Sequence, residues 1–225
     1  MDDMTLKNSR VFQRVRQAVL QLTFLTVFGL PAVAQTVAFG VKGGVPVIDP
    51  FVLNSSLTSL NNYTFSTQRY TFGPTFELPI PYNFFFEADA LYKHLHYISN
   101  PFGFDTFQAK TTATSWEFPF LIKRYLLDET IRPYGDVGVS FRRVDGSTTF
   151  SNAVFHATQD PLELVHRWST GFAAGGGIDI AYGFVHISPE IRYTRWAKEN
   201  FISSNGVLGS NLNTLDILVG VTFQP

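Results

Sequence analysis

Residues 114–142 read TSWEFPFLIKRYLLDETIRPYGDVGVSFR, and the fold turns on how this stretch is parsed. Taken two residues at a time, Trp116, Phe118, Phe120 and Ile122 share one face. Ser115, Glu117, Pro119, Leu121 and Lys123 take the other. A polar break follows at Asp128-Glu129-Thr130, and alternation then resumes. Ile131, Pro133, Gly135, Val137, Val139 and Phe141 oppose Arg132, Tyr134, Asp136, Gly138, Ser140 and Arg142. Strict alternation marks a strand with two unlike faces, and two such runs joined by a turn make a hairpin. Each arm is long for a soluble sheet, and one face is charged. About 9–11 tilted residues carry a strand across hydrocarbon, with apolar side chains towards lipid and polar ones towards a barrel interior.

The rest of the chain repeats the unit. Strands are expected at Thr36–Val47, Arg69–Leu78, Tyr82–Tyr97, the two arms of the hairpin, Arg167–Ile180, Phe184–Trp196 and Leu215–Phe223. Between them, Ile48–Gln68, Ser99–Thr112, Asp145–Val165 and Lys198–Asn213 read as long loops. Pro79-Ile80-Pro81, the Asp128 break and Ala181-Tyr182-Gly183 read as short turns. Eight strands whose connections alternate long and short predict an all-β fold, an eight-stranded antiparallel up-and-down transmembrane β-barrel.

Composition agrees. The chain has 23 Phe, 9 Tyr and 3 Trp but only 16% charged residues, a poor recipe for a soluble surface. A net charge of −1 leaves no basic footprint for nucleic acid, and the lack of cysteine rules out disulfides and thiolate metal sites. Lys7, Arg10, Arg14 and Arg16 precede an apolar run, Ala18–Leu30, which ends in Pro31-Ala32-Val33-Ala34. This predicts a secretory signal peptide over 1–34 and a barrel domain over 35–225; the alternative, an anchor helix, would have a short core. Outward Tyr70, Tyr92, Trp116, Phe141, Trp168 and Tyr193 should gather near one rim as an aromatic girdle.

The hairpin residues Trp116–Lys123 and Arg132–Val139, the run Gly171-Phe-Ala-Ala-Gly-Gly-Gly-Ile178 and the terminal strand together resemble the outer-membrane protein beta-barrel domain family, the small eight-stranded OmpA- and OmpX-like barrels. The resemblance covers about Gln35 to Phe223; Phe223, where such barrels end on an aromatic residue, is followed here by Gln224 and Pro225. It implies residence in the bacterial outer membrane, contact with its lipid, and assembly by the barrel assembly machinery through the C-terminal strand. It implies a monomer.

The inward face then collects Lys42, Glu77, Glu87, Asp89, Lys93, Glu117, Lys123, Arg132, Asp136, Arg142, Asp179, Glu190, Arg192 and Asp216. An eight-stranded barrel is only wide enough for side chains to fill it, so these charges are expected to pair into a lumen network. A narrow ion or small-solute channel is the transport alternative. A soluble ligand-carrying barrel is another, and it requires the opposite facing. No enzyme, cofactor or metal site is expected. Glu87 and Asp89 share a face through alternation alone, and His94, His96, His156, His166 and His186 lack an adjacent acid or a Gly-x-Ser-x-Gly element. Gly175-Gly-Gly177 is mid-strand and is not a phosphate loop. Any role is left to four extracellular loops, whose ligand the sequence does not name.

Overall fold

The computed structural model describes residues 37–53, 63–66, 70–99, 107–127, 130–152, 156–161, 164–202 and 208–224. Ala38–Gln224 form one compact unit. The expected signal peptide, 1–34, lies outside the described residues. The strands are β1 (Ala38–Ile48), β2 (Phe51–Leu53), β3 (Tyr63–Ser66), β4 (Thr71–Ile80), β5 (Phe84–Asp89), β6 (Leu91–Ser99), β7 (Phe107–Tyr125), β8 (Ile131–Asn152), β9 (His156–Gln159), β10 (Trp168–Tyr182), β11 (Val185–Trp196), β12 (Leu208–Ser210) and β13 (Asn213–Phe223).

Pairing closes on itself. Starting from β1, the ring runs through β4, β5 with β6, β7, β8, β10, β11 and β13, and back to β1, antiparallel throughout. Segments β5 and β6 are one barrel strand. Their register against β7 continues from Ala88↔Phe120 to Leu91↔Glu117, and against β4 from Asp89↔Thr75 to Tyr92↔Phe72. The ladder lapses at Asp89–Ala90, where the register sets Pro119 opposite Asp89 and Pro74 opposite Ala90, neither with an N–H to give. The Ala90 amide still donates to the Pro74 carbonyl at 3.0 Å. The barrel therefore has eight strands, and closure leaves it no open edge.

Two details differ from the sequence reading. The loops expected at 99–112 and 145–165 are partly strand, since β7 starts at Phe107 and β8 runs to Asn152, paired from Phe107↔Asn152 onwards. Segments β2, β3 and β12 likewise occupy parts of the expected loops 48–68 and 198–213. Thr112, Thr148 and Thr149 account for the difference. Their polarity reads as loop, while their branched Cβ favours strand. The short turns also shift. Pro79 pairs with Phe85 inside the ladder, and the first turn is Pro81–Asn83, with Tyr82 and Asn83 at φ 70 and 59. In the last hairpin Tyr182 pairs with Val185, so the turn is Gly183-Phe184, with Gly183 at φ 61 where a two-residue turn favours glycine.

Facing follows the alternation. Phe39, Val41, Phe72, Phe120, Ile122, Val137, Val139, Phe172, Ile191, Ile217, Val219 and Val221 are exposed on the outside, while the inward charged positions are buried, apart from a half-buried Arg132. So much contiguous apolar surface is stable only against lipid, and it is the reverse of what a soluble carrier needs. Phe141 and Ile131, ten residues apart on β8, span about 33 Å of strand and, at a tilt of about 40°, roughly 25 Å of membrane. Arginine placed at Val137 or Val219, mid-strand on this face, is expected to cost about 2–4 kcal/mol of stability in urea titrations from lipid vesicles. Leucine at the same positions should leave the midpoint unchanged.

Candidate functional site: the lumen and its mouth

The inward residues form a stacked column, built because each strand contributes one side chain per two residues to the interior. At its centre Lys42 of β1 reaches Glu190 at 2.8 Å, Asp89 at 3.5 Å and Glu87 at 2.5 Å. Arg192 of β11 holds the same three carboxylates, Glu190 at 2.6 Å, Asp89 at 2.7 Å and Glu87 at 2.8 Å. Thr75 adds a hydroxyl donor to Asp89 at 2.6 Å. Lys123 extends the network sideways, pairing with Glu87 and, at 2.5 Å, with Glu77, which also accepts from the Tyr125 hydroxyl at 3.3 Å. These ions are excluded from solvent, so their desolvation is offset only by the pairing itself.

Two smaller clusters flank the centre. Towards the long loops, Lys93 bridges Glu117 at 3.0 Å and Asp216 at 3.1 Å. Arg142, 0% exposed, lies over the Trp196 ring with its guanidinium carbon 4.1 Å from the centroid, and its Nη1 is 4.0 Å from Glu117 Oε1. Towards the short turns, Arg132 pairs with Asp179, which also binds His186 at 3.0 Å and accepts from Ser188 at 2.8 Å. Arg132 is thus not at mid-height beside Glu87 or Glu117, because its register partner is Asp179. Asp136 stands between Lys123 and Gly175 in register, and a methyl group on Gly175 would come within 2.8 Å of its Oδ1. Glycine on the inner face of β10 is what gives that carboxylate, and the Tyr134 ring opposite Gly177, their room.

The lumen network expected from the sequence names charged residues alone; the structure adds Tyr134, whose hydroxyl donates to Glu190 at 3.3 Å, and Tyr125, Thr75, His186 and Ser188. Alternation alone marks Tyr134, His186 and Ser188 as inward. His186 does have an acid beside it, so the expectation that no histidine would is corrected. Yet Ser188 donates its proton to Asp179, not to the imidazole, so the trio lacks the serine-to-base hydrogen bond that activates a nucleophile. His94 stacks on Tyr92 outside the barrel. Among the described residues no group of three or more His, Cys, Asp or Glu is arranged to hold a metal ion.

A separate apolar closure covers the long-loop mouth. Phe201 packs with Ala113 and Val144, with Phe51 and Leu164 against them, and the Phe51 and Phe201 rings meet edge-on at 5.4 Å. The closure is tied down by polar contacts. Both Asn200 and Phe201 donate their amides to the Ser210 hydroxyl, Asn200 donates its side chain to the His166 carbonyl, and β2 pairs with β12. Beside it Arg167 donates to Asp160 at 2.6 Å and to Asp145 at 2.9 Å, and the hydrogen bond it gives Asp160 is the main cause that raises its guanidinium above the usual value.

Aromatic rings ring the outside. Tyr70, Phe72, Tyr92, Trp116 and Phe118 make an unbroken file of ring contacts, and Arg143 stands in register between Trp116 and Trp168. Phe141 contacts Phe120 lower down, and Tyr193 hydrogen-bonds Asn213. A second group that the sequence reading missed lies at the short-turn end, where Phe39 and Phe184 both contact Phe223.

Residues 33–195 match the outer membrane protein beta-barrel domain family. No curated protein matches the sequence. Among solved structures, neisserial surface protein A is 11% identical with a TM-score of 0.43, over 85% of this chain and 97% of that one. OprG of Pseudomonas aeruginosa is 14% identical with a TM-score of 0.42, over 85% and 98%. Ail, the attachment invasion locus protein of Yersinia pestis, in complex with the heparin analogue sucrose octasulfate, is 12% identical with a TM-score of 0.37, over 84% and 99%.

Proposed function

Because the chain belongs to the outer membrane protein beta-barrel domain family, we propose that it works as a closed barrel, with a structural or surface-interaction role carried by its four extracellular loops. The observation behind this reading is the double closure of the lumen. Lys42, Lys123 and Arg192 hold the central carboxylates across the bore, and Phe201 covers the mouth above them. In this account residues 1–34 direct export and are removed, and the short turns face the periplasm. The last strand guides assembly, and the mature protein is a monomer in outer-membrane lipid.

The test is electrical. Purified protein in planar bilayers is expected to show no steady conductance. A stable, ion-selective open state would overturn the closed-barrel reading and put the narrow channel in its place.

A further inference from the structure

We propose that the short-turn end of the barrel carries a binding site for the phosphate of a periplasmic-leaflet phospholipid, centred on Arg124. The proposal rests on the membrane placement of the barrel and is independent of whether the lumen conducts. Arg124 continues the lipid-facing row Trp116, Phe118, Phe120, Ile122 of β7, and so it lies outside the lumen network. Its register partner is Phe84, with the guanidinium carbon 5.2 Å from the ring centroid. Among the described arginines it alone has no side-chain hydrogen bond or salt bridge to another described residue. Arg132, Arg142, Arg143, Arg167 and Arg192 each have a carboxylate within 4.0 Å, and Arg195 donates to Asn213.

The surroundings are amphipathic. Arg124 lines a depression of about 440 Å³ together with Tyr82, Asn83, Tyr125, Leu126 and Leu127. Tyr82 is 89% exposed although its φ of 70° is a conformation that aromatic residues seldom adopt. Neither packing inside the protein nor backbone preference accounts for an aromatic residue there, whereas Tyr at a membrane–water interface is a common anchor. Leu126 and Leu127 are also exposed, giving the depression an apolar side. A guanidinium held at the edge of hydrocarbon needs an anion, and phosphate matches its planar fork with two charge-assisted hydrogen bonds. A lipid whose phosphate meets Arg124 would lay its acyl chains along Ile122 and Phe84, which a free anion cannot do.

The test uses the full chain in detergent, titrated with phosphatidylglycerol, with diacylglycerol of the same acyl chains, or with inorganic phosphate, and read by thermal unfolding and by lipid retained in native mass spectrometry. Phosphatidylglycerol is expected to raise the midpoint saturably, and diacylglycerol and inorganic phosphate are not. Arg124→Gln should weaken phosphatidylglycerol retention about tenfold, the loss of one charge-assisted contact, while Arg124→Lys keeps part of it. Arg143→Gln, at the opposite rim, should retain lipid as the wild type does. Equal retention by Arg124→Gln would overturn the proposal. So would stabilisation by inorganic phosphate alone, which would mark an anion site without lipid. A midpoint loss in Arg124→Gln that is the same with and without phosphatidylglycerol would show that the protein itself holds the guanidinium. The comparison of lipids on the wild type stands even if a variant fails to fold.

Discussion

Lys123→Met is expected to lower barrel stability by about 3–5 kcal/mol, the cost of removing one partner from a buried ion pair while leaving the other charged. Methionine keeps the chain length, so the loss reads the charge and not a cavity. The geometry says which acid suffers. Glu87 still has Lys42 and Arg192, but among the described residues Glu77 is bonded to Lys123 and the Tyr125 hydroxyl alone. Adding Glu77→Gln should therefore restore most of the loss, and Glu87→Gln should restore less. Glu117→Gln should restore nothing, because Glu117 belongs to the Lys93 cluster. Urea unfolding in lipid vesicles measures the wild type, the four single variants and the three double variants, and the coupling term of each double-mutant cycle isolates its pair. Rescue by Glu117→Gln equal to that by Glu77→Gln would mean that the lumen charges act as a diffuse field and not as discrete pairs.

That distinction was out of reach of the sequence, and the reason is geometric. Alternation tells which side of a strand a residue takes, so every one of the fourteen inward charges, from Lys42 to Asp216, could be assigned a face. Closure of the sheet then follows from eight strands and a terminal pair, β1 with β13. What alternation lacks is the vertical stagger between strands. Alternation puts Arg132 on the same side as Glu87, and only the register sets it opposite Asp179. The loops were misread for a related reason. The apolar/polar contrast exists because lipid lies on one side, so it fades where β7 and β8 rise out of the membrane even though their pairing continues. The apolar closure at the mouth left no periodic trace either, since Phe51, Leu164 and Phe201 come from three separate connections and meet only in the fold.

Phe201→Ala should unfasten that closure while leaving the barrel beneath it intact. Truncating a fully buried phenylalanine costs about 3–5 kcal/mol, and here the loss leaves the loop segments held by the hydrogen bonds of Asn200 and Ser210 and the short β2–β12 pairing. The Phe51 ring loses its edge-on partner, and the Ser210 hydroxyl that receives the Asn200 and Phe201 amides loses the packing that positions it. Hydrogen exchange should therefore accelerate in β2 and β12, whose three-residue pairing is too short to persist alone, and stay slow in β10, β11 and β13. The ion column lies deeper and shares no side chain with the closure. Conductance should accordingly remain absent in Phe201→Ala, because Lys42 and Arg192 still bridge the bore. Channel openings in this variant would identify Phe201 as the gate and the charge network as a permeable lining. Silence with fast exchange in β2 and β12 would show that the two closures stand in series, with the outer one free to rearrange when the loops meet a partner.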